Sequence, residues 1–418
     1  MNRHILIAFC AGLLAMPAAA QVSTTLSPYS QYGLGILAEQ SQGFSRGMGG
    51  LGIGLRGGKL VNTLNPASYS AVDSLTMLID LGVSGQITNF KEGSKSVNGH
   101  TANFDYAVAS FRLFKNVGFT LGVLPYSNIG YSYDAALNAS TTEGHDGDGG
   151  LSQVLLGAGW QFLDGLSVGV NFSYLWGDYQ KDVSVTSTNT YVNTMLRSYT
   201  TSFSSYKLDF GLQWQQALNK DNMLTVGATV GVGHSLGADA EVLTASSNTQ
   251  TSVVNTADTI SVSDAFRLPW TFGLGATLTH KNSLMVGVDY SLQKWSSIDY
   301  PVYSTGGYSM SSGYYRDRSK LTVGADWVPN PISRKFFDRV HYRMGVSYAT
   351  PYYNIKDQQG PKEFAVTVGV GVPIYRSVVN VSGQWVRNSS SSLITENMFR
   401  INIGLTFNER WFAKWKVD

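Results

Sequence analysis

Alternation constrains this chain more than any other feature. Phe399-Arg400-Ile401-Asn402-Ile403-Gly404-Leu405-Thr406-Phe407 places a large apolar residue at every odd position and a polar residue or glycine at every even one. Successive side chains of a strand point to opposite faces, so this segment has one greasy face and one wet or narrow face. The pattern recurs at Leu166/Val168/Val170/Phe172/Tyr174/Trp176, Leu224/Val226/Ala228/Val230/Val232, Trp270/Phe272/Leu274/Ala276/Leu278 and Leu284/Val286/Val288/Tyr290/Leu292. It continues through Leu321 to Trp327, Tyr342 to Tyr348, Phe364 to Val372 and Val379 to Trp385. These segments have the length that crosses a bilayer as a tilted strand, roughly 9 to 11 residues.

A β-sandwich also alternates, but its connections are shorter and more even. Here tight turns near Lys115-Asn116, Asp164-Gly165, Asn219-Lys220-Asp221 and Lys281-Asn282 alternate with long polar loops. The loops are expected at Lys91 to Gly99, Asp134 to Gly149, Gln180 to Arg197, Ser235 to Ser263 and Trp295 to Tyr315. Short turns on one side and long loops on the other describe an outer-membrane barrel with its turns in the periplasm. The fold expected is all-β: a transmembrane antiparallel β-barrel of about fourteen strands, with Trp160, Trp176, Trp295, Trp327 and Tyr348 in the interfacial girdles.

Charged residues are only 14% of the chain, while Gly (45), Tyr (23), Phe (19) and Trp (9) abound, and no long apolar run lies outside the N-terminus; helical spans are disfavoured. The net charge of +2 gives no electrostatic case for nucleic acid. Residues 1–20 read as a secretory signal peptide, with Arg3 and His4, an apolar core from Ile5 to Met16, and Ala18-Ala19-Ala20 at the cleavage site. The only cysteine, Cys10, falls inside that core, so the mature chain is expected to hold no disulfide, thiol nucleophile or cysteine metal site.

Residues 21–73 do not alternate. Ser41 to Gly52 is glycine-rich and leads to Asn65-Pro66-Ala67, which suggests a plug folded inside the lumen, where irregular backbone finds partners. A disordered periplasmic arm is the alternative, disfavoured by Leu51, Ile53, Leu55, Leu60 and Leu64. The barrel is assigned to 74–407 and a periplasmic tail to 408–418.

Ser45-Arg46-Gly47-Met48-Gly49-Gly50, followed by Asn65-Pro66-Ala67 and then about fourteen strands, resembles the FadL/TodX family of outer-membrane channels for hydrophobic compounds. The ends, Ser27 to Gly35 and Phe407 to Lys414, resemble the branch found in Bacteroidota, similar in architecture to PorV-type barrels of secretion systems. The resemblance implies uptake of hydrophobic, long-chain fatty-acid-like molecules in a Gram-negative outer membrane, released sideways through a kinked strand. The alternative it leaves open is a membrane-embedded interaction subunit of an assembly or secretion complex. Expected partners are outer-membrane lipids, a hydrophobic small molecule and, in the alternative, envelope proteins; no cofactor is expected.

For the lateral opening the residues offer Pro125, Asn128 and Gly130 in the third strand. Proline cannot donate to the ladder, and glycine in a strand often marks a bulge. A packed bulge that merely accommodates the plug is the competing reading. Asn65, Pro66 and Ala67 are expected to form the turn that seats the plug. Strand parity turns Asp105, Asp209, Asp289, Asp326, Arg343 and Arg400 toward the lumen, where buried charges are expected to pair. Gly52 to Gly57 fits G-x-G-x-x-G without a βαβ unit, Asp146 to Gly149 lacks full calcium-loop spacing, and the mature histidines are scattered. No G-x-S-x-G elbow appears, and the chain reads as a non-enzyme without a metal site.

Overall fold

The computed structural model describes residues 25–248, 250–251, 254–304, 307–356, 358–390 and 393–410. The expected signal peptide, Cys10 and residues 411–418 lie outside the described residues.

Fourteen antiparallel strands form the wall: β1 (Thr76–Glu92), β2 (Lys95–Phe114), β3 (Val117–Asn138), β4 (Thr141–Leu163), β5 (Leu166–Ser187), β6 (Thr194–Ala217), β7 (Asn222–Gly231), β8 (Thr271–His280), β9 (Leu284–Gln293), β10 (Arg318–Trp327), β11 (His341–Ala349), β12 (Lys362–Ile374), β13 (Ser377–Ser389) and β14 (Thr395–Arg410). β14 returns to β1 from Thr76↔Arg410 to Lys91↔Thr395 and closes the barrel. Three more strands of the same seventeen-stranded sheet stand off the ring. Ile36–Leu37 lies in the lumen, and the hairpin Ala240–Ser247/Val254–Val262 extends the wall beyond the short β7 by pairing with the upper part of β6.

The burial pattern is inside out for a water-soluble protein. Asn171, Ser173, Gln213, Thr225, Thr322, Thr367 and Asn380 are buried, while Phe172, Leu274, Val323, Met344, Val368 and Ile401 are exposed. An apolar belt of that extent, alternating residue by residue with a polar interior, is satisfied only by lipid around the barrel. The protein is a bacterial outer-membrane barrel.

All five of the expected loops contain paired strand. Lys91 to Gly99, Asp134 to Gly149 and Gln180 to Arg197 are largely strand, in hairpins that turn at 93–94, 139–140 and 188–193. Beyond the bilayer both faces of a strand meet water, so the alternation vanishes from the sequence although the ladder continues. At the other end of the barrel, β14 runs past Phe407 to Arg410.

Residues 25–75 occupy the lumen. Tyr29 to Leu37 rise into a tyrosine-rich core with Tyr126, Tyr179, Phe266, Trp295, Tyr315 and Tyr352. Tyr300 stacks on Tyr314 at 4.1 Å and Trp295 meets Tyr352 at 4.8 Å, so this layer caps the extracellular half of the lumen. Lys181 of β5 ties the rising segment to the wall by donating to the carbonyls of Gln31 (2.8 Å) and Gly33 (3.0 Å).

Lower down, the plug circles the inside of the wall. A side chain on Gly118 of β3 would strike Tyr69; on Gly159 (β4) or Gly169 (β5), Pro66; on Gly211 (β6), Asn65; on Gly227 (β7), Ile53. Continuing round, Gly287 (β9) faces Leu51, Gly324 and Gly345 (β10, β11) face Met48, Gly369 (β12) faces Gly47, and Gly404 (β14) faces Gly43. The glycines on the wet face of the strands form a track on which the plug backbone lies.

Candidate functional site

Two strand irregularities interrupt the pairing of β2 with β3. β2 and β3 pair only from Phe114↔Val117 up to Ala107↔Val123. Beyond that point β2 pairs with β1 alone, after a register shift at Gly82/Val83 that leaves Asp105 as an extra residue. β3 shifts register against β4 between Pro125 and Ser127, leaving Tyr126 extra, and its inner edge takes the plug strand through Ile36↔Asn128 and Leu37↔Ser127. Bulges bend a strand and end its pairing, so the two strands part here. Gly149, Gly150 and Gly177 continue the crease across β4 and β5 with φ of +121°, +141° and +150°, a conformation that L side chains rarely adopt.

The plug holds both lips of this gap. On the β3 side, Ala38 N–H donates to the Tyr126 carbonyl (2.9 Å), Gln40 Nε2 to that of Pro125 (2.8 Å), and Gly130 N–H to Ser30 Oγ (3.0 Å). On the β2 side, Arg46 forms an ion pair with Asp105 (2.8 Å), and Ser84 Oγ donates to the same carboxylate at 3.0 Å. Gly43 N–H donates to Tyr106 Oη at 2.6 Å, and the Tyr106 hydroxyl in turn donates to Asp80 at 3.2 Å.

Behind the gap lies a cavity of about 480 Å³, within the usual span for small-molecule sites, roughly 300–1,000 Å³. Its apolar part is Ile36, Leu37, Leu64, Phe104, Val123, Leu124, Tyr126 and Met398; its charged part is Glu39, Arg46, Asp105, Arg318, Lys320, Glu363 and Arg400. Lys320 binds Glu39 at 2.9 Å and Arg46 binds Asp105. Arg400 donates from Nε and Nη2 to Gln86 Oε1 at 3.0 and 2.8 Å; neither it nor Arg318 forms an ion pair among the described residues. Glu363 is the one lining carboxylate equally without an ion pair among them. The cavity therefore presents two cations against one free carboxylate, beside a continuous apolar wall.

Burial would raise the Glu39 carboxyl, but Lys320, and behind it Arg46, hold it down at about 2. A folded value below the unfolded one gives stability that is full above the ordinary carboxylate range and is lost as pH falls toward 2. Acidifying from pH 5 to pH 3 is expected to lower the hydrogen-exchange protection factors of residues 36–46, taken relative to intrinsic amide exchange at each pH, and Glu39→Gln to remove that dependence. An unchanged pH profile in the variant would show that another carboxylate carries it.

The remaining polar residues anticipated from strand parity serve the plug or each other. Asp289 accepts from the N–H groups of Gly52 (2.6 Å) and Ile53 (2.8 Å). Asp326 accepts from Arg343 Nε at 2.9 Å and contacts His341, while Arg343 Nη1 reaches Asn380 at 2.6 Å. Asp209 is paired with Lys207 at the half-buried inner face of β6. Arg343 is thus remote from the cavity lining, and of these six only Asp105 and Arg400 belong to it. Asn65 caps the turn Pro66–Ala71: its Oδ1 accepts from Ala67 N–H (3.1 Å) and its Nδ2 donates to the Ile53 carbonyl (2.8 Å). Arg318, Lys320, Glu363, Glu39 and Arg46 are the charged cavity residues absent from the sequence-based expectation. Strand parity with the outward Leu321 turns Lys320 and Arg318 inward; no such signal exists for Glu39 and Arg46, in the aperiodic plug.

A family model described as BamG matches residues 1–418. No curated protein matches the chain. Among solved structures, the Ralstonia pickettii toluene transporter TbuX is 16% identical, with TM-score 0.63 over 89% of this chain and 99% of that one. A FadL homologue from Pseudomonas aeruginosa gives 12% identity and TM-score 0.62 over 90% and 99%. The Pseudomonas putida toluene transporter TodX gives 14% and 0.61, also over 90% and 99%. At these identities the likeness is one of fold: the barrel is of the FadL/TodX type.

Proposed function

We propose that this chain, which belongs to the BamG family, is an outer-membrane channel that takes up hydrophobic molecules and releases them sideways through the gap between β2 and β3. The observation that carries this reading is the cavity's position against that gap, with Phe104 on one lip and Val123 to Tyr126 on the other. The unpaired cations at its polar end favour a long-chain, fatty-acid-like amphiphile, with its headgroup toward Arg400 and Arg318 and its chain along Ile36, Leu37 and Leu124. Similar solved structures named as toluene transporters support a hydrophobic cargo for the fold.

Mass spectrometry of the protein purified in mild detergent is expected to find a stoichiometric acyl-chain compound. A charge-assisted hydrogen bond contributes about 1.5–3 kcal/mol, so Arg400→Gln is expected to weaken that binding by about tenfold or more. Replacing Pro125 and Gly130 with valine is expected to abolish uptake while the barrel still assembles. Uptake that continues unchanged would remove the lateral route.

One observation favours a second reading. The tyrosine-rich layer closes the extracellular half of the lumen, as suits a membrane-embedded interaction subunit of an envelope complex. A stoichiometric companion protein, with no small molecule bound, would decide for that role.

A further inference from the structure

Six turns join strands at the periplasmic end: 115–116, 164–165, 218–221, 281–283, 328–340 and 375–376. Lysine and arginine outnumber aspartate in them by seven to three. The turn between β10 and β11 is the long one, and it is folded. Val328 and Val340 are buried at its base, Asn330 N–H donates to the Asp338 carbonyl (2.8 Å), and Ser333 Oγ donates to the Asp338 carboxylate (2.7 Å). What it turns outward is apolar and cationic. Ile332 is 91% and Phe337 73% exposed, Phe336 packs edge-on against Phe337, and Arg334 and Lys335 are exposed beside them. The buried Nε of Arg339 has no acceptor among the described residues.

We infer that 328–340 is a binding surface for anionic phospholipid of the periplasmic leaflet. Phe336, Phe337 and Ile332 enter the acyl boundary, and Arg334, Lys335 and Arg339 hold headgroup phosphates. Aromatic residues beside lysine and arginine bind a bilayer interface by combining apolar burial with attraction to anionic lipid. A membrane fits better than a protein partner for two reasons. The patch is continuous with the lipid-facing girdle, since Trp327 meets Tyr342 at 5.7 Å and the Tyr342 hydroxyl donates to the Phe337 carbonyl. The excess of cations also extends from this turn into its neighbours 281–283, 375–376 and 115–116, so it spans four of the six turns, as suits a planar anionic layer.

The test places a nitroxide at Phe337→Cys in a Cys10→Ser background of the full chain, reconstituted in phosphatidylcholine vesicles with and without phosphatidylglycerol. Heat-modifiable electrophoretic mobility checks that the barrel is intact. With phosphatidylglycerol, the label is expected to meet oxygen several-fold more than a water-soluble nickel complex. Arg334→Gln, Lys335→Gln and Arg339→Gln together are expected to reverse that preference. A label equally deep without phosphatidylglycerol or without the cations would overturn headgroup recognition. A label shielded from both reagents in native membranes would mean that a protein covers the loop, and would overturn the proposal as well.

Discussion

The Gly345→Leu variant is expected to release the plug from a barrel that still closes. The obstacle to a side chain at Gly345 is the backbone of Met48 and Gly49, which cannot swing aside as a rotamer would. Overpacking typically costs about 1–3 kcal/mol, and an obstacle made of backbone places this site at the upper end. At about 1.4 kcal/mol per tenfold, the unseated population should rise about a hundredfold. Limited proteolysis of residues 43–70 and single-channel conductance read the change directly. Gly169→Leu, against Pro66 on the opposite side of the track, should act alike. Gly85→Leu, where a Cβ meets nothing within 4 Å, is the control. Proteolysis and conductance equal to the control would mean that the plug is not held by close approach to the wall.

Arg46→Ala is expected to be at least as damaging, for an electrostatic reason. The guanidinium and the Asp105 carboxylate have side-chain exposures of only 5% and 11%. Removing one member of a buried pair leaves the other uncompensated, at a cost of about 3–5 kcal/mol. That cost falls on one lip of the gap, so hydrogen exchange in Lys95–Tyr106 should quicken more than in β10 or β11. Adding Asp105→Asn should restore much of the loss, because the stranded charge is then gone. Exchange that rises equally throughout the barrel would show that the ion pair stabilises the whole wall rather than the lip.

Much of this architecture is legible in the residues, and the limits have physical causes. A period of two is enough to give the barrel, its inner and outer faces, and the inward direction of Asp289 and Asp326. It cannot say that Asp289 will meet the N–H groups of Gly52 and Ile53, because that depends on how an aperiodic segment is laid against the wall. Pro125 marks an irregular strand wherever it stands. The crease glycines Gly149, Gly150 and Gly177 are silent, since a positive φ within a strand leaves no trace distinct from ordinary glycine on a wet face. Asp146 to Gly149 reads as a loop tip for the same reason that the long hairpins read as loops. Water on both sides erases the alternation but not the ladder. Lys320 and Arg318 lie within reach of parity; their meeting with Glu39 and the cavity requires the plug to be in place.

The glycine track also carries a kinetic meaning. Followed from Tyr69 back to Gly43, the plug touches β3 through β12 and then β14 in rising order, so each contact joins residues further apart in the chain than the one before. Closing a longer loop costs more entropy, and non-local contacts form late. The plug should therefore wind onto the wall from its C-terminal end as successive strands arrive, as a spring is laid into a groove. Gly43 meets Tyr106 of β2 early, but gains its contact with Gly404 only when β14 is present. The last contact of the track to form is thus the one next to the Arg46 brace, which makes the break in pairing between β2 and β3 the seam where a finished barrel differs from an unfinished one.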